Sequence, residues 1–342
     1  MRAHVHTEHA WSNDLWDILF TCTTQPVVES DNVFVVIIVT SAPSNVRRRS
    51  AIRSTWGQRR HLSEPRIDKG TSMSVFPVFL VGDVEDVSNR RLVYKEATEF
   101  GDMLVGPYLD TYRNLTLKTV HGFMWVAERV RPTFVLKTDD DCFVNVDILL
   151  EVLTETLVFQ SEQVKTASEQ KVSTYKTSSG DTAGTRYLPS TPSYRSATRA
   201  FTRLPSPLYV GNVRWANKVV RNPTSRWFVS EQDYAKVQYP PYASGAGYVL
   251  DARALDVLTS NVRRIRPFPN EDAYVGTVLR EAGVRPVQSY RFVSQPSGLW
   301  ACNFLYIVVI HGVSEDQHAS LVAKVKDARQ QCRDVERDVG WD

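Results

Sequence analysis

The chain alternates β-branched apolar runs with stretches of helical periodicity. Val33 to Val39 is apolar at every position, the pattern of a strand covered on both faces. Val46 to Trp56 follows with helical spacing, capped by Ser44 or Asn45. A second strand spans Val75 to Val81 and stops at Gly82; helices over about Asp86–Glu99 and Thr116–Val130 come next. The strand Thr133 to Lys137 and a helix from Val146 to Phe159 close this series. Such a βαβα rhythm predicts a mainly parallel sheet with helices on its faces and ligands gathered beyond the carboxyl ends of the strands.

Between Ser161 and Pro207 the apolar pattern lapses into Ser, Thr, Lys, Arg and Pro, which predicts a long disordered surface insertion. The pattern resumes at Leu208 without a new βαβ series, so residues 32–342 read as one domain interrupted at 161–207, behind a poorly defined segment 1–31. Tyr239 to Leu250 reads as a turn into a buried strand, and Pro269 opens a helix that stops at Gly283. Phe304 to Ile310 is an apolar run of strand length, and Glu315 to Arg337 has the spacing of a charged amphipathic surface helix.

With 342 residues and 42% hydrophobic composition, the chain can bury a sizeable core. A net charge of +3 gives no bulk attraction for nucleic acid or a membrane surface. No window of eighteen apolar residues marks a membrane span, and the first 31 residues lack the basic start and apolar core of a signal peptide. The four cysteines show no CxxC pair, which argues against structural zinc and leaves the compartment open. Asn114-Leu-Thr116 is a candidate N-glycosylation site, usable only in a secretory lumen.

The chemistry begins with Asp139-Asp140-Asp141, delivered by an apolar run and followed by another. Adjacent carboxylates losing hydration there are held most easily around a divalent cation with oxygen ligands. Arg49 and Arg53, four apart on one helical face beside Ile52 and Trp56, suit a diphosphate. Ser244-Gly-Ala-Gly-Tyr248 lets backbone approach a flat polar ligand, with Gly245 and Ala246 at the approach and Tyr242 and Tyr248 available to stack on it. Glu271 and Asp272 lie in a first helical turn, where acids complement the macrodipole and where a carboxylate is also rigid enough to act as a general base. His311 ends an apolar run and could complete a metal site.

Six stretches in one order carry a resemblance: Arg49-x-x-x-Arg53-x-Thr55-Trp56-Gly57, Phe79-Leu-Val-Gly82, Asp110-x-Tyr112-x-Asn114-Leu-Thr-x-Lys118-Thr119, Lys137-Thr-Asp-Asp-Asp-x-Phe143-Val-Asn145, Ser244-Gly-Ala-Gly-Tyr248 and Glu271-Asp272-x-Tyr274-Val-Gly276. Together they resemble the β1,3-glycosyltransferases of the galactosyltransferase family, over about Val33 to His311 apart from the insertion. The resemblance implies an α/β fold of GT-A type, a Rossmann-like α/β/α sandwich with a mainly parallel central sheet. It further implies a UDP-sugar donor, a divalent cation, most often Mn2+, a glycan acceptor on glycoprotein or glycolipid, and a membrane-associated Golgi enzyme. By residue, it makes Asp141 and His311 metal ligands, Arg49, Arg53, Asp139 and Asp140 donor-binding groups, and Asp272 the catalytic base of an inverting transfer. Gly245, Ala246 and Glu271 fall in the acceptor or sugar pocket. Lys137-Thr138 and the Glu271 to Gly276 stretch look more like the galactosyl branch than the N-acetylglucosaminyl one. A metal-dependent nucleotide-sugar phosphohydrolase and a UDP-binding relative without turnover are the other readings.

Overall fold

The computed structural model describes residues 24–28, 33–63, 72–174, 205–294, 299–333 and 340–341. Strand β1 (Val33–Thr40) is buried along its whole length, as its unbroken apolar run requires. It is followed by helix α1 (Val46–Arg53), the short strand β2 (Arg60–Ser63), strand β3 (Ser72–Asp83), helix α2 (Val87–Phe100) and strand β4 (Met103–Leu109). Helix α3 (Leu115–Trp125), with a π turn at its end, leads to β5 (Phe134–Asp139) and the short β6 (Cys142–Val144). Helix α4 (Val146–Thr174) precedes β7 (Tyr209–Arg214), β8 (Tyr242–Asp251), α5 (Ala252–Asn261) and α6 (Glu271–Glu281). Short strands β9 (Val287–Gln288), β10 (Phe292–Val293) and β11 (Val309–His311) and helix α7 (His318–Gln331) complete the described chain.

The central sheet runs β2-β3-β1-β5-β8-β7-β9, with β4 beside the far end of β3. Strands β4, β3, β1 and β5 are mutually parallel, whereas β8 runs against both β5 and β7. Alternate residues of β1 feed two cores: Val35, Ile37 and Val39 meet Ile52, Val93 and Leu149 on one face. Val36 and Ile38 meet Val120, Phe123 and Val278 on the other. Helices α1, α2 and α4 therefore cover one face and α3, α5 and α6 the other, giving the expected α/β/α sandwich around a mainly parallel sheet.

Two departures from the sequence reading have physical reasons. Helix α4 continues to Thr174, well into the stretch taken as insertion. Ser161 to Thr174 contains no Gly or Pro, and Glu, Gln, Lys and one Ala, all good helix formers, make up half of it, so the helix continues without an apolar stripe. The rest of the insertion, up to residue 204, lies outside the described residues, as does most of segment 1–31. The run Phe304 to Ile310 is only partly strand, because Ala301–Leu305 forms a 3-10 turn and β11 begins at Val309.

A small second sheet, β10-β11-β6, sits beside the main one. In it His311 pairs with Cys142, the residue after the aspartate triplet. A disulfide between Cys302 and Cys332 ties the 3-10 turn before β11 to the end of α7. Closing that 30-residue separation contributes about 3 to 4 kcal/mol by the loop-entropy argument.

Candidate active site

The site forms where the carboxyl ends of β1 and β5 meet the amino-terminal half of β8, whose reversed direction sets Gly247 beside Thr138. Asp139 and Asp140 leave β5 next to Thr40 of β1: the Asp140 amide donates to the Thr40 carbonyl at 3.1 Å, and the Thr40 hydroxyl donates to Asp139 Oδ1. Asp140 is buried and accepts from Asn45 Nδ2 at 2.8 Å and Arg48 Nη1 at 3.1 Å. Asp141 is half-buried, with Arg48 at 3.9 Å and His311 Nε2 at 3.8 Å. Burial holds the Asp141 carboxyl above the usual aspartate value, and neighbouring Asp139 adds to the rise while His311 opposes it.

The residues fit a divalent cation on the chemistry of the donor set. His311 Nδ1 lies 3.4 Å from the Ser294 carbonyl, which can only accept, so Nδ1 carries a proton there and Nε2 is the ring atom presented to Asp141, able to ligate a metal when it gives up its own proton. A carboxylate oxygen and an imidazole Nε2 facing each other 3.8 Å apart match two ligands of one ion, each bonded at about 2.1 Å. Among the described residues no three His, Cys, Asp or Glu side chains converge closely enough to hold a metal ion by themselves. Further oxygens would come from substrate and water, the usual arrangement for hard cations at phosphates.

Opposite the triplet stands the first turn of α6. Asp272 is half-buried and held by two amides, Gly245 N at 2.9 Å on Oδ2 and its neighbour Ala273 N at 2.8 Å on Oδ1. Burial raises its carboxyl above the ordinary value, the Gly245 amide and Lys137 opposing that rise. Glu271 is buried, and burial pushes it up to about 7 against the pull of Lys137. Between the two acidic groups lies Lys137 itself, wholly buried. The Ala246 carbonyl accepts from Thr138 Oγ1 at 2.8 Å and from the buried free thiol of Cys142 at 3.2 Å.

Gly245 belongs here for lack of space. A Cβ at that position would fall 2.7 Å from Glu271 Oε1 and 3.4 Å from Asp272 Oδ2. Gly245→Ala is expected to lower kcat by about 10- to 100-fold through displacement of these carboxylates. Steady-state kinetics beside a melting curve that moves only a few degrees check this expectation.

Several sequence expectations are corrected. Arg49 does not face the triplet: it is fully buried, and its five N–H donors go to Glu96 Oε1 and Oε2, Ser41 Oγ, and the carbonyls of Ala42 and Pro43. None remains for a phosphate. Arg53 is committed likewise, to Glu96 at 2.7 Å and to both oxygens of Asp102, with its guanidinium over the rings of Phe79 and Phe100. The spacing explains the outcome, since residues 49, 52, 53 and 56 share one helical stripe, and Ile52 and Trp56 had already marked it as the buried one. The arginine at the triplet is Arg48, and Asn45 spends its amide on Asp140 rather than on capping α1.

Tyr242 and Tyr248 are also buried, Tyr248 against Tyr209 and Phe123, so neither offers a face to a ligand. Asn114 is 2% exposed and donates its amide to the Leu109 carbonyl, which leaves no room for a glycan on the folded protein. The motif around it has a structural purpose. Lys118 binds both oxygens of Asp110 and the Ser41 carbonyl, so it and Arg49 fasten the Ser41–Pro43 loop from two sides.

Comparison with known proteins gives the class. A family profile described as galactosyltransferase matches residues 47–201 and 198–290. Beta-1,3-galactosyltransferase 1 of Mus musculus is 28% identical over 290 residues, covering 84% of this chain and 73% of its own. Beta-1,3-galactosyltransferase 4 of Canis lupus familiaris is 33% identical over 263 residues, covering 74% of this chain and 62% of its own. Among solved structures, the galactosyltransferase LgtC in complex with donor and acceptor sugar analogs shares 9% identity, covers 84% of this chain and 95% of its own, and gives a TM-score of 0.37, a slight likeness. The class is therefore a hexose-transferring enzyme. More particularly, this chain belongs to the galactosyltransferase family.

Proposed function

We propose that the protein is an inverting β1,3-glycosyltransferase that moves galactose from a UDP-sugar to a hydroxyl of a glycan acceptor on glycoprotein or glycolipid. One observation carries this reading: a rigid, half-buried Asp272 stands across a short bridge from an acidic floor that holds an arginine and a facing aspartate–histidine pair. In the reaction Asp272 accepts the proton of the acceptor hydroxyl, whose oxygen forms the new bond at the anomeric carbon. The bond from that carbon to the UDP oxygen breaks on the opposite side, and UDP leaves with the electron pair. Asp139 and Asp140 border the nucleotide and sugar, and Arg48 lies at the diphosphate, replacing Arg49 and Arg53 in that role. Asp141 and His311 would hold a divalent cation, Mn2+ by family habit, which when bound neutralises charge on the diphosphate.

Galactose as donor sugar is supported by the names of the relatives and by the Lys137-Thr138 and Glu271 to Gly276 stretches. A Golgi setting with membrane association is part of the same proposal. The Cys302–Cys332 disulfide suits an oxidising secretory lumen, and no helix among the described residues is long and apolar enough to cross a membrane.

The test incubates purified protein with UDP-galactose, UDP-N-acetylglucosamine and simple saccharide acceptors, with and without Mn2+. Acceptor-dependent transfer from UDP-galactose is expected. Transfer from UDP-N-acetylglucosamine alone moves the protein to that branch, and release of sugar or phosphate without acceptor makes it a phosphohydrolase. UDP binding without any product leaves a binding protein. Asp141→Asn is expected to weaken UDP binding in Mn2+ by at least about tenfold and to leave metal-free binding unchanged, which calorimetry measures.

A further inference from the structure

Lys137 lies on β5 in the middle of the sheet and has no exposure at all. An ammonium at such a place is strongly disfavoured unless each N–H finds an acceptor. All three do: Nζ donates to Asp139 Oδ1 at 2.8 Å, to the Gly245 carbonyl at 2.8 Å and to Glu271 Oε1 at 2.6 Å. These acceptors come from three separate elements, the end of β5, the start of β8 and the first turn of α6. Gly245 is used twice, because the same residue that offers its carbonyl to Lys137 donates its amide to Asp272 Oδ2 at 2.9 Å.

We infer that Lys137 is a positioning residue for the transfer reaction, fixing Asp272 through Gly245 and Glu271 and tying that base to the donor floor through Asp139. This rests on the proposed reading of the site as a transfer centre. A purely structural role explains the arrangement less well. Sheet stability at a wholly buried strand position is served equally by an apolar side chain, and a simple ion pair needs one carboxylate, whereas this ammonium spans two from different elements. Arginine cannot take over, since its planar fork does not direct three donors around one point.

The geometry separates distance-setting from binding, and the test uses that separation. Lys137→Met leaves Glu271 buried without its cation and can fail to fold, so it is accompanied by Lys137→Met/Glu271→Gln, in which that charge is removed, and by Glu271→Gln alone. Each is assayed with UDP-galactose, Mn2+ and the acceptor used by the wild type, and UDP affinity is measured by calorimetry. The expected result is a folded double variant with UDP affinity and acceptor KM within threefold of Glu271→Gln, and kcat about 100-fold below it. Lys137→Arg is expected not to rescue kcat. A double variant whose kcat equals that of Glu271→Gln overturns the inference, as does a loss confined to KM. Failure of all the Lys137 variants to fold overturns it too, because the ammonium then serves the fold alone. A wild type without acceptor-dependent transfer instead removes the proposed function, an outcome visible before any Lys137 variant is assayed.

Discussion

Asp272→Asn is expected to lower transfer by about 10³-fold, in the range of a lost general base, while UDP affinity stays within a few-fold of the wild type. The substitution keeps size and shape, and the Gly245 amide can still donate to the remaining oxygen, so the first turn of α6 keeps its place. What disappears is the carboxylate proposed to take the acceptor proton. Burial raises the Asp272 carboxyl above the ordinary 3.8, and the base works only when ionised. The acidic limb of kcat/KM is therefore expected above the pH at which a free aspartate titrates, and it should vanish from the residual rate of the variant. Single-turnover assays across pH, with calorimetric UDP titrations alongside, test both parts. Full turnover in Asp272→Asn would take the base role from this residue.

Arg49→Met should act on an entirely different quantity. It leaves Glu96 buried with only Arg53 as partner and frees the Ser41 hydroxyl and the carbonyls of Ala42 and Pro43. Breaking a buried ion pair from one side costs about 3 to 5 kcal/mol, which in a chain of this size lowers the melting temperature by roughly 4 to 7 °C. Arg48→Ala makes the converse case. Arg48 is a third exposed and reaches Asp140 and Asp141, so its loss should weaken UDP binding and leave the melting temperature nearly unchanged. Thermal denaturation and UDP titration of both variants distinguish the roles. An Arg49→Met protein that melts like the wild type and loses UDP affinity would return that arginine to the donor site.

These two arginines also show what could be read from the chain alone. The alternation of apolar runs and helical spacing determined the sandwich, because burial of β1 on both faces follows from its composition and needs no partner to be known. The residues of the proposed site, the aspartate triplet, Asp272 and His311, stood out in the sequence because each lies at or beside the end of an element, and in an open α/β sheet the carboxyl ends of strands face ligands. Arg49 and Arg53 misled because i,i+4 spacing reports that two residues share a face but not which way that face points. Ile52 and Trp56 carried that information, and the charge of the arginines obscured it. Glu96 and Asp102, the counterions that make burial tolerable, lie in α2 and in the turn before β4, at a separation no local pattern reports. Lys137 stayed hidden for a related reason: a lysine inside an apolar strand announces burial, yet its three acceptors are brought together only by the antiparallel pairing of β5 with β8 and by the docking of α6.

That antiparallel pairing has a bearing on how such an enzyme could be re-engineered. The floor of the proposed donor site is drawn mainly from the stretch ending at Asp141 and completed by His311, while the proposed base and the wall around it come from the stretch after Tyr209, with Lys137 as the pin between them. Two modules of chain thus share one reaction centre. Exchanging the second module between relatives, with Gly245, Glu271, Asp272 and His311 kept, should transplant acceptor preference and leave the choice of nucleotide where it was.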